Sequence, residues 1–216
     1  LSEHDSKRLL AAAGVSVPDE ILVSYREGLH EAIARVGLPL AMKIQSADIP
    51  HKSEVGGVRL DIATEQAAAQ AYDDLLARAG ERRPDAAIQG VLLTPMAKPG
   101  VEIIIGTIQD ATFGPMIMVG FGGVITELFR DVIYRPAPVG VEEAVTMLNE
   151  LKAAPLLHGF RGTPKADVGA LAALIARISQ LAARHRETIA EIEVNPVLVH
   201  PEARALLSPM RWWCRP

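Results

Sequence analysis

Cysteine is almost missing from this chain: of 216 residues only Cys214 is one. An internal disulfide and a multi-cysteine metal site are both excluded, and a reducing cytoplasm is the expected compartment. Aromatic residues are also scarce, 4% against 49% apolar overall. Small aliphatics must therefore fill the interior, with alanine-rich helices packed on Val/Ile strands. No basic excess exists, since 22 Lys and Arg face 26 Asp and Glu for a net charge of −4. Nucleic acid is not an expected partner without a basic face. No apolar run reaches the roughly 18 residues of a membrane span, and no signal-peptide pattern opens the chain. Neither a membrane nor export is expected. The first residue is Leu1 rather than Met, as a fragment, a trimmed terminus or an unusual start would give. A chain of this length can bury a substantial core in one or two domains.

What is there is an alternation of helical and extended patterns. Ser2 to Gly14 reads as a capped helix with Leu9, Leu10 and Ala13 as its apolar stripe. Further helices are expected over 27–36, 65–79, with Thr64 as cap, 141–151 and 168–186. Strands are expected over 21–24, 40–45, 58–63, 87–94, 101–108, 115–120, 124–129, 132–135 and 189–199. The fold class is α/β (α+β), with a break between two lobes near residues 94–100. Boundaries of this kind hold to about two to four residues.

The most informative segment is KIQSADIPHKSEVGGV, residues 43–58. A lysine in mid-strand between apolar neighbours is expensive to bury without an anion. Ser53, Gly56 and Gly57 let the backbone fold over a phosphate, and a loop histidine, His51, adds a possible phosphoryl acceptor. A plain surface hairpin with a solvated Lys43 would read the same way. A second signal is Glu102 on an apolar strand, suited to ribose hydroxyls or to a solvated face. A third is the GPMIMVGFGG stretch with Glu127 and Asp131 behind it, where glycines mark close backbone approach or a bulge. A fourth is Glu193-Val194-Asn195-Pro196. Residues i and i+2 share a strand face, and a carboxylate with a carboxamide oxygen suits Mg²⁺; a strand-end turn would carry them too. A fifth is Arg161 between glycines, a phosphate or carboxylate clamp or a solvated side chain.

In order, these pieces resemble the ATP-grasp domain of the ADP-forming acyl-CoA synthetases, the acetate–CoA ligase (ADP-forming) family related to the succinyl-CoA synthetase β subunit. The resemblance runs from SEHDSKRLLAAAGV to about EIEVNPVLV and is most specific in KIQSADIPHKSEVGGV, GVEIIIGTIQDATFGPMIMVGFGG and EIEVNP. It implies an ATP-grasp fold of two α/β lobes gripping ATP. The expected parts are an N-terminal helix and linker at 1–19, one lobe at 20–94, and a second at 95–216 with an atypical tail.

On this resemblance Lys43 meets the nucleotide phosphates and the Ser53–Gly57 loop closes over them. Leu93, Thr94 and Met96 form a hinge against adenine, and Glu102 and Arg161 are further nucleotide contacts. Glu193 and Asn195 hold Mg²⁺. His51 matches the histidine that carries phosphate transiently, and Glu127 and Asp131 match acids near the docking region of the phosphohistidine. The family reaction is acid + CoA + ATP giving acyl-CoA + ADP + phosphate. The implied cofactors are ATP and Mg²⁺, and the implied partner is a CoA-binding and ligase subunit, or set of domains, carrying the phosphohistidine.

One departure stands out. The family follows Asn-Pro with a strand ending in an Asp that completes the metal site. Here the tail reads ARALLSPMRWWCRP, and Glu202 is the only acid after residue 200. Two other roles stay open beside the ligase: a nucleotide-binding module of a protein acyltransferase fusion, and a non-catalytic interaction subunit.

Overall fold

The computed structural model describes residues 3–49, 51–123 and 131–201, together with the backbone of 212–215. These form two compact units. One comprises the described residues up to Arg8 with Pro18–Ala97; the other comprises Leu9–Val17 and the described residues from Lys98 onward.

The first unit is built on a four-stranded antiparallel sheet in the order β1-β4-β2-β3. Its strands are β1 (Ile21–Val23), β2 (Leu40–Gln45), β3 (Val58–Ile62) and β4 (Gly90–Pro95). Helices α2 (Leu29–Val36) and α3 (Glu65–Arg82) cover one face. Leu40, Met42, Ile44, Val91 and Leu93 point into that side, against Ile33, Ala68, Ala71, Tyr72 and Leu75. Period-2 alternation therefore turns Ala41, Lys43 and Gln45 to the opposite face. The Thr64 hydroxyl caps α3 by accepting from Ala67 N at 3.1 Å, as the sequence predicts, and α3 runs on to Arg82 rather than stopping at Ala79.

The second unit carries a five-stranded antiparallel sheet in the order β7-β6-β5-β8-β9. These are β5 (Val101–Asp110), β6 (Gly114–Phe121), β7 (Val132–Pro136), β8 (Glu191–Val199) and β9 (Trp212–Arg215). Helices α4 (Val141–Glu150) and α5 (Val168–Arg184) pack on one face through Ala144, Met147, Leu148, Leu171, Ile175 and Ile178. They meet Ile103, Ile105, Ile117, Val119, Ile192 and Val194. Asp167 caps α5 by accepting from Ala170 N at 2.8 Å.

Two expectations change. The tail predicts no strand, yet β9 pairs antiparallel with β8, Trp213 opposite Glu193 in the backbone register. The first helix, α1 (Glu3–Ala12), has Leu10 fully buried, but Leu9 and Ala13 are only half-buried. Its buried stripe continues instead through Glu3, Ser6 and Lys7, spaced i, i+3, i+4 but polar, which a search for apolar periodicity passes over. The strand expected at 124–129, Glu127 and the cap expected at Ser2 all lie outside the described residues.

Candidate functional site

Lys43 sits in the middle of β2, a strand buried along its whole length, and is 2% exposed. A lone ammonium there would shed its proton or find an anion. The anion present is Glu3. Its Oε1 lies 3.5 Å from Lys43 Nζ and accepts from Lys7 Nζ at 2.8 Å, while its Oε2 accepts from Lys52 Nζ at 2.6 Å. Lys7 also donates to Glu20 Oε2 at 2.6 Å, and His4 Nδ1 lies 2.8 Å from Glu20 Oε1. Three buried lysines thus face two glutamates within the first unit.

The electrostatics follow from that count. Burial pulls Lys43 down to about 8; Glu3 resists the shift, and Lys7 and Lys52 add to it. Burial alone would raise Glu3, but Lys7, Lys43 and Lys52 outweigh it and hold the carboxyl well below the usual range. Burial works against the charge on Lys7, yet Glu3 and Glu20 raise it above the ordinary lysine value. Beside Lys43, on the same face of β2, the Gln45 amide is fully buried, and among the described residues neither its nitrogen nor its oxygen has a hydrogen-bond partner. Thr94 lies on that face as well, opposite Ala41 in the register, with its buried hydroxyl also unpartnered.

The loop after β2 is tied by short backbone bonds: Glu54 N to His51 O at 3.1 Å, Gly56 N to Ser53 O at 3.1 Å and Gly57 N to Lys52 O at 2.7 Å. His51 and Ser53 are exposed and Lys52 points inward. Gly57 is required by space: a Cβ there would stand 2.6 Å from Ile44 Cγ2 and 2.9 Å from the Lys52 carbonyl oxygen. Leu93 belongs to the helix side of the sheet. Met96 donates its backbone N–H to Pro39 O at 3.3 Å, and its Sδ accepts from Asp61 N at 3.5 Å.

In the second unit, the face of the sheet away from α4 and α5 carries Glu102 on β5 and Glu193 on β8. Gly106 is opposite Glu193 and shares the face of Glu102. The register steps two residues on β5, from Ile103 to Ile105, against three on β8, from Val197 back to Val194. That bulge falls at Asn195-Pro196, where proline has no N–H for the ladder. Asn195 Nδ2 donates to Glu193 Oε1 at 3.1 Å, so both side chains stand on one side, as the i, i+2 spacing predicts. Gly122 N donates to Glu102 O at 2.7 Å, and a Cβ on Gly123 would meet Glu102 Oε2 at 2.7 Å. The glycine pair therefore closes on the acid.

The remaining predicted residues are not drawn into these groups. Asp131 is buried, and its two oxygens accept from Lys152 N at 3.0 Å and Ala153 N at 2.9 Å, tying down the turn after α4. Arg161 is exposed, with φ 50 and ψ 40, and its guanidinium lies 5.3 Å from the centroid of the Phe160 ring. Among the described residues no cluster of three or more His, Cys, Asp or Glu could hold a metal, and no helix is long and apolar enough to cross a membrane. The residues that sequence reasoning missed are Glu3, Lys7, Glu20 and Lys52. The available signal was Glu3 and Lys7 at i, i+4 on one helix, a spacing usually read as a solvated pair.

The ATP-grasp domain model matches residues 1–208. The chain is 37% identical to the β subunit of acetate–CoA ligase (ADP-forming) II from Pyrococcus furiosus, over 92% of this chain and 84% of that subunit. The chain belongs to the ATP-grasp family, among the ADP-forming acyl-CoA synthetases. Within that family it is 38% identical to acetate–CoA ligase (ADP-forming) I of Archaeoglobus fulgidus, covering 93% of this chain but 29% of that longer one. It also superimposes on solved structures of the dinucleotide-forming acetyl-coenzyme A synthetase 1 of Ca. Korarchaeum cryptofilum. With coenzyme A and Ca-AMPCP the TM-score is 0.91 at 36% identity, covering 98% of this chain and 91% of that one. With coenzyme A and Mg-AMPPCP, its phosphohistidine segment pointing towards the nucleotide binding site, the TM-score is 0.83 at 33% identity, covering 98% and 90%.

Proposed function

We propose that this chain is the ATP-binding part of an ADP-forming acyl-CoA synthetase and transfers a phosphoryl group between ATP and a histidine of a partner subunit or domain. The overall reaction is acid + CoA + ATP giving acyl-CoA + ADP + phosphate. The observation that carries the reading is Lys43, a buried lysine in a cluster where, among the described residues, three lysines gather around Glu3. Such a cluster is completed by an anion, and the unpartnered Gln45 amide beside it offers a further hydrogen-bond donor. A polyphosphate fits both.

Lys43 and Lys52 would neutralise the phosphate oxygens, and the loop through Ser53, Gly56 and Gly57 would lay its backbone against them. Thr94, Met96 and the backbone of Leu93, whose side chain is turned to the helices, would border the base, Glu102 the ribose, and Arg161 would be a further phosphate contact. Glu193 and Asn195 are two hard oxygen donors on one face. They fit Mg²⁺, which takes its other ligands from phosphates and water. When bound, Mg²⁺ neutralises charge on the transferred group. His51, exposed at the loop, would accept the phosphoryl group on a ring nitrogen as the bond to ADP breaks, and pass it on. Glu127 and Asp131 would lie towards the partner's histidine. Coenzyme A and the carboxylic acid would be bound by the partner.

Calorimetric titration of the chain with ATP, with and without Mg²⁺ and with GTP alongside, tests the binding. Saturable, Mg²⁺-dependent ATP binding is expected; a folded chain that binds no nucleotide overturns the reading. With the partner present, His51→Ala is expected to abolish ATP–phosphohistidine exchange, and undiminished exchange would remove His51 from the mechanism.

A further inference from the structure

Glu3 meets all three lysines of the buried cluster with one carboxylate. Its Oε2 takes Lys52 at 2.6 Å, and its Oε1 takes Lys7 at 2.8 Å and stands 3.5 Å from Lys43. Lys7 has a second carboxylate, Glu20 at 2.6 Å. We infer that Glu3 is a positioning residue for phosphate binding, holding Lys43 and Lys52 side by side so that together they receive the polyphosphate. The inference rests on the nucleotide reading given above and adds Glu3 to it, as the group that orders the two phosphate lysines.

Lys43 comes from the centre of β2 and Lys52 from the following loop, and nothing in the backbone ladder fixes the separation of their ammonium groups. A carboxylate with one oxygen near each does. Without it, three buried lysines would lose the carboxylate they share, and mutual repulsion with desolvation would disfavour the charged forms. Lys43, already pulled down by burial and its lysine neighbours, would be the first to turn neutral. A neutral amine gives phosphate far less than an ammonium. The Gln45 amide, two residues along the same strand face, is buried and has no hydrogen-bond partner among the described residues, so it is placed to meet a polar group there.

A carboxylate beside two lysines has two other readings. It could compete with phosphate as an internal anion, or it could serve stability alone. Affinities for ATP, ADP and AMP, measured by calorimetry in Mg²⁺ on the full chain, separate the three. Glu3→Gln is expected to weaken ATP by about ten-fold or more, ADP by less, and AMP by under about two-fold, ten-fold being the scale of one charge-assisted hydrogen bond. Glu3→Asp keeps the charge on a shorter arm and is expected to recover part of the ATP affinity. It carries the same comparison if Glu3→Gln does not fold. Equal losses for all three nucleotides overturn the inference in favour of a structural role. Unchanged or tighter ATP binding overturns it as well. If the wild-type chain binds no nucleotide, the nucleotide reading itself fails and this inference with it; wild-type binding with an indifferent Glu3 variant overturns the inference alone.

Discussion

Lys52 Nζ lies 2.6 Å from Glu3 Oε2 although 49 positions separate the two residues in the chain. One comes from the first turn of α1 and the other from the loop after β2, so a single ion pair fastens the loop to the helix. Both partners are buried, and removing one member of such a pair leaves an uncompensated charge. Glu3→Gln is therefore expected to lower stability by about 3–5 kcal/mol, read from the urea midpoint at neutral pH.

The same carboxylate sets an acid limit. The Glu3 carboxyl is held below its ordinary value of 4.5 because Lys7, Lys43 and Lys52 overcome its burial. A group with a lowered folded-state value contributes stability above its unfolded value and loses it as pH falls. The wild-type chain is expected to lose stability steadily below about pH 4.5. Glu3→Gln starts lower and should fall less steeply across that range. Parallel urea midpoints for the two chains between neutral pH and pH 4 would remove Glu3 from the acid response.

Lys43 makes the opposite end of the pH scale informative. Burial brings it down to about 8, so above that pH it is largely neutral in the free chain. A bound polyphosphate favours the ammonium form and raises it again. Nucleotide binding near pH 9 is thus expected to take up a proton, and affinity should fall as pH climbs through about 8. Calorimetry in buffers of different ionisation enthalpy measures the proton directly, and Lys43→Met should abolish the uptake.

Gly57 is the steric counterpart of these charges. An alanine methyl would stand 2.6 Å from Ile44 Cγ2 and 2.9 Å from the Lys52 carbonyl oxygen. Either β2 or the segment carrying Lys52 must move. Gly57→Ala is expected to destabilise the first unit by about 1–3 kcal/mol, as overpacking does, and to weaken ATP more than the same substitution at Gly80. A Cβ added at Gly80 would meet nothing within 4 Å among the described residues beyond its chain neighbours and the adjacent helix backbone.

Asp131 is expected to matter for stability. Its carboxylate accepts from two backbone N–H groups, those of Lys152 and Ala153. Asp131→Ala strands both donors at the end of α4 and should lower the second unit's stability by about 1–3 kcal/mol. Slower hydrogen exchange of those two amides in the variant would contradict that role, while faster exchange supports it.

The two-unit α/β fold was legible in the sequence because both signals were local. The alternation in β2, β5 and β6, and the alanine periodicity of α3 and α5, need no knowledge of partners. Thr64 as a cap and the shared face of Glu193 and Asn195 were legible for the same reason. The charge cluster was not. Glu3, Lys7, Glu20 and Lys52 are scattered in sequence, and each by itself reads as a solvated residue. Only folding brings Glu3 and Lys7 to Lys43 and Lys52. Arg161 illustrates the converse: flanking glycines drew notice to it, and the structure leaves it exposed over Phe160.

Mg²⁺ binding at the proposed Glu193–Asn195 site is expected to depend on nucleotide. Glu193 and Asn195 supply two oxygens from β8, and the residue opposite Glu193 on β9 is Trp213. An indole offers no ligand oxygen, and no Asp follows residue 200. Two protein donors hold Mg²⁺ poorly, because the ion gives up its water reluctantly and leans on substrate phosphates. Mg²⁺ alone is therefore expected to bind too weakly for calorimetric detection, whereas Mg²⁺ with ATP should bind well. Glu193→Gln removes the one carboxylate of the pair. It should erase most of the Mg²⁺ enhancement of ATP binding while leaving metal-free ATP affinity near wild type, since Lys43 and Lys52 remain. Tight Mg²⁺ binding without nucleotide would mean a third protein ligand exists, and an enhancement that survives Glu193→Gln would move the metal away from β8.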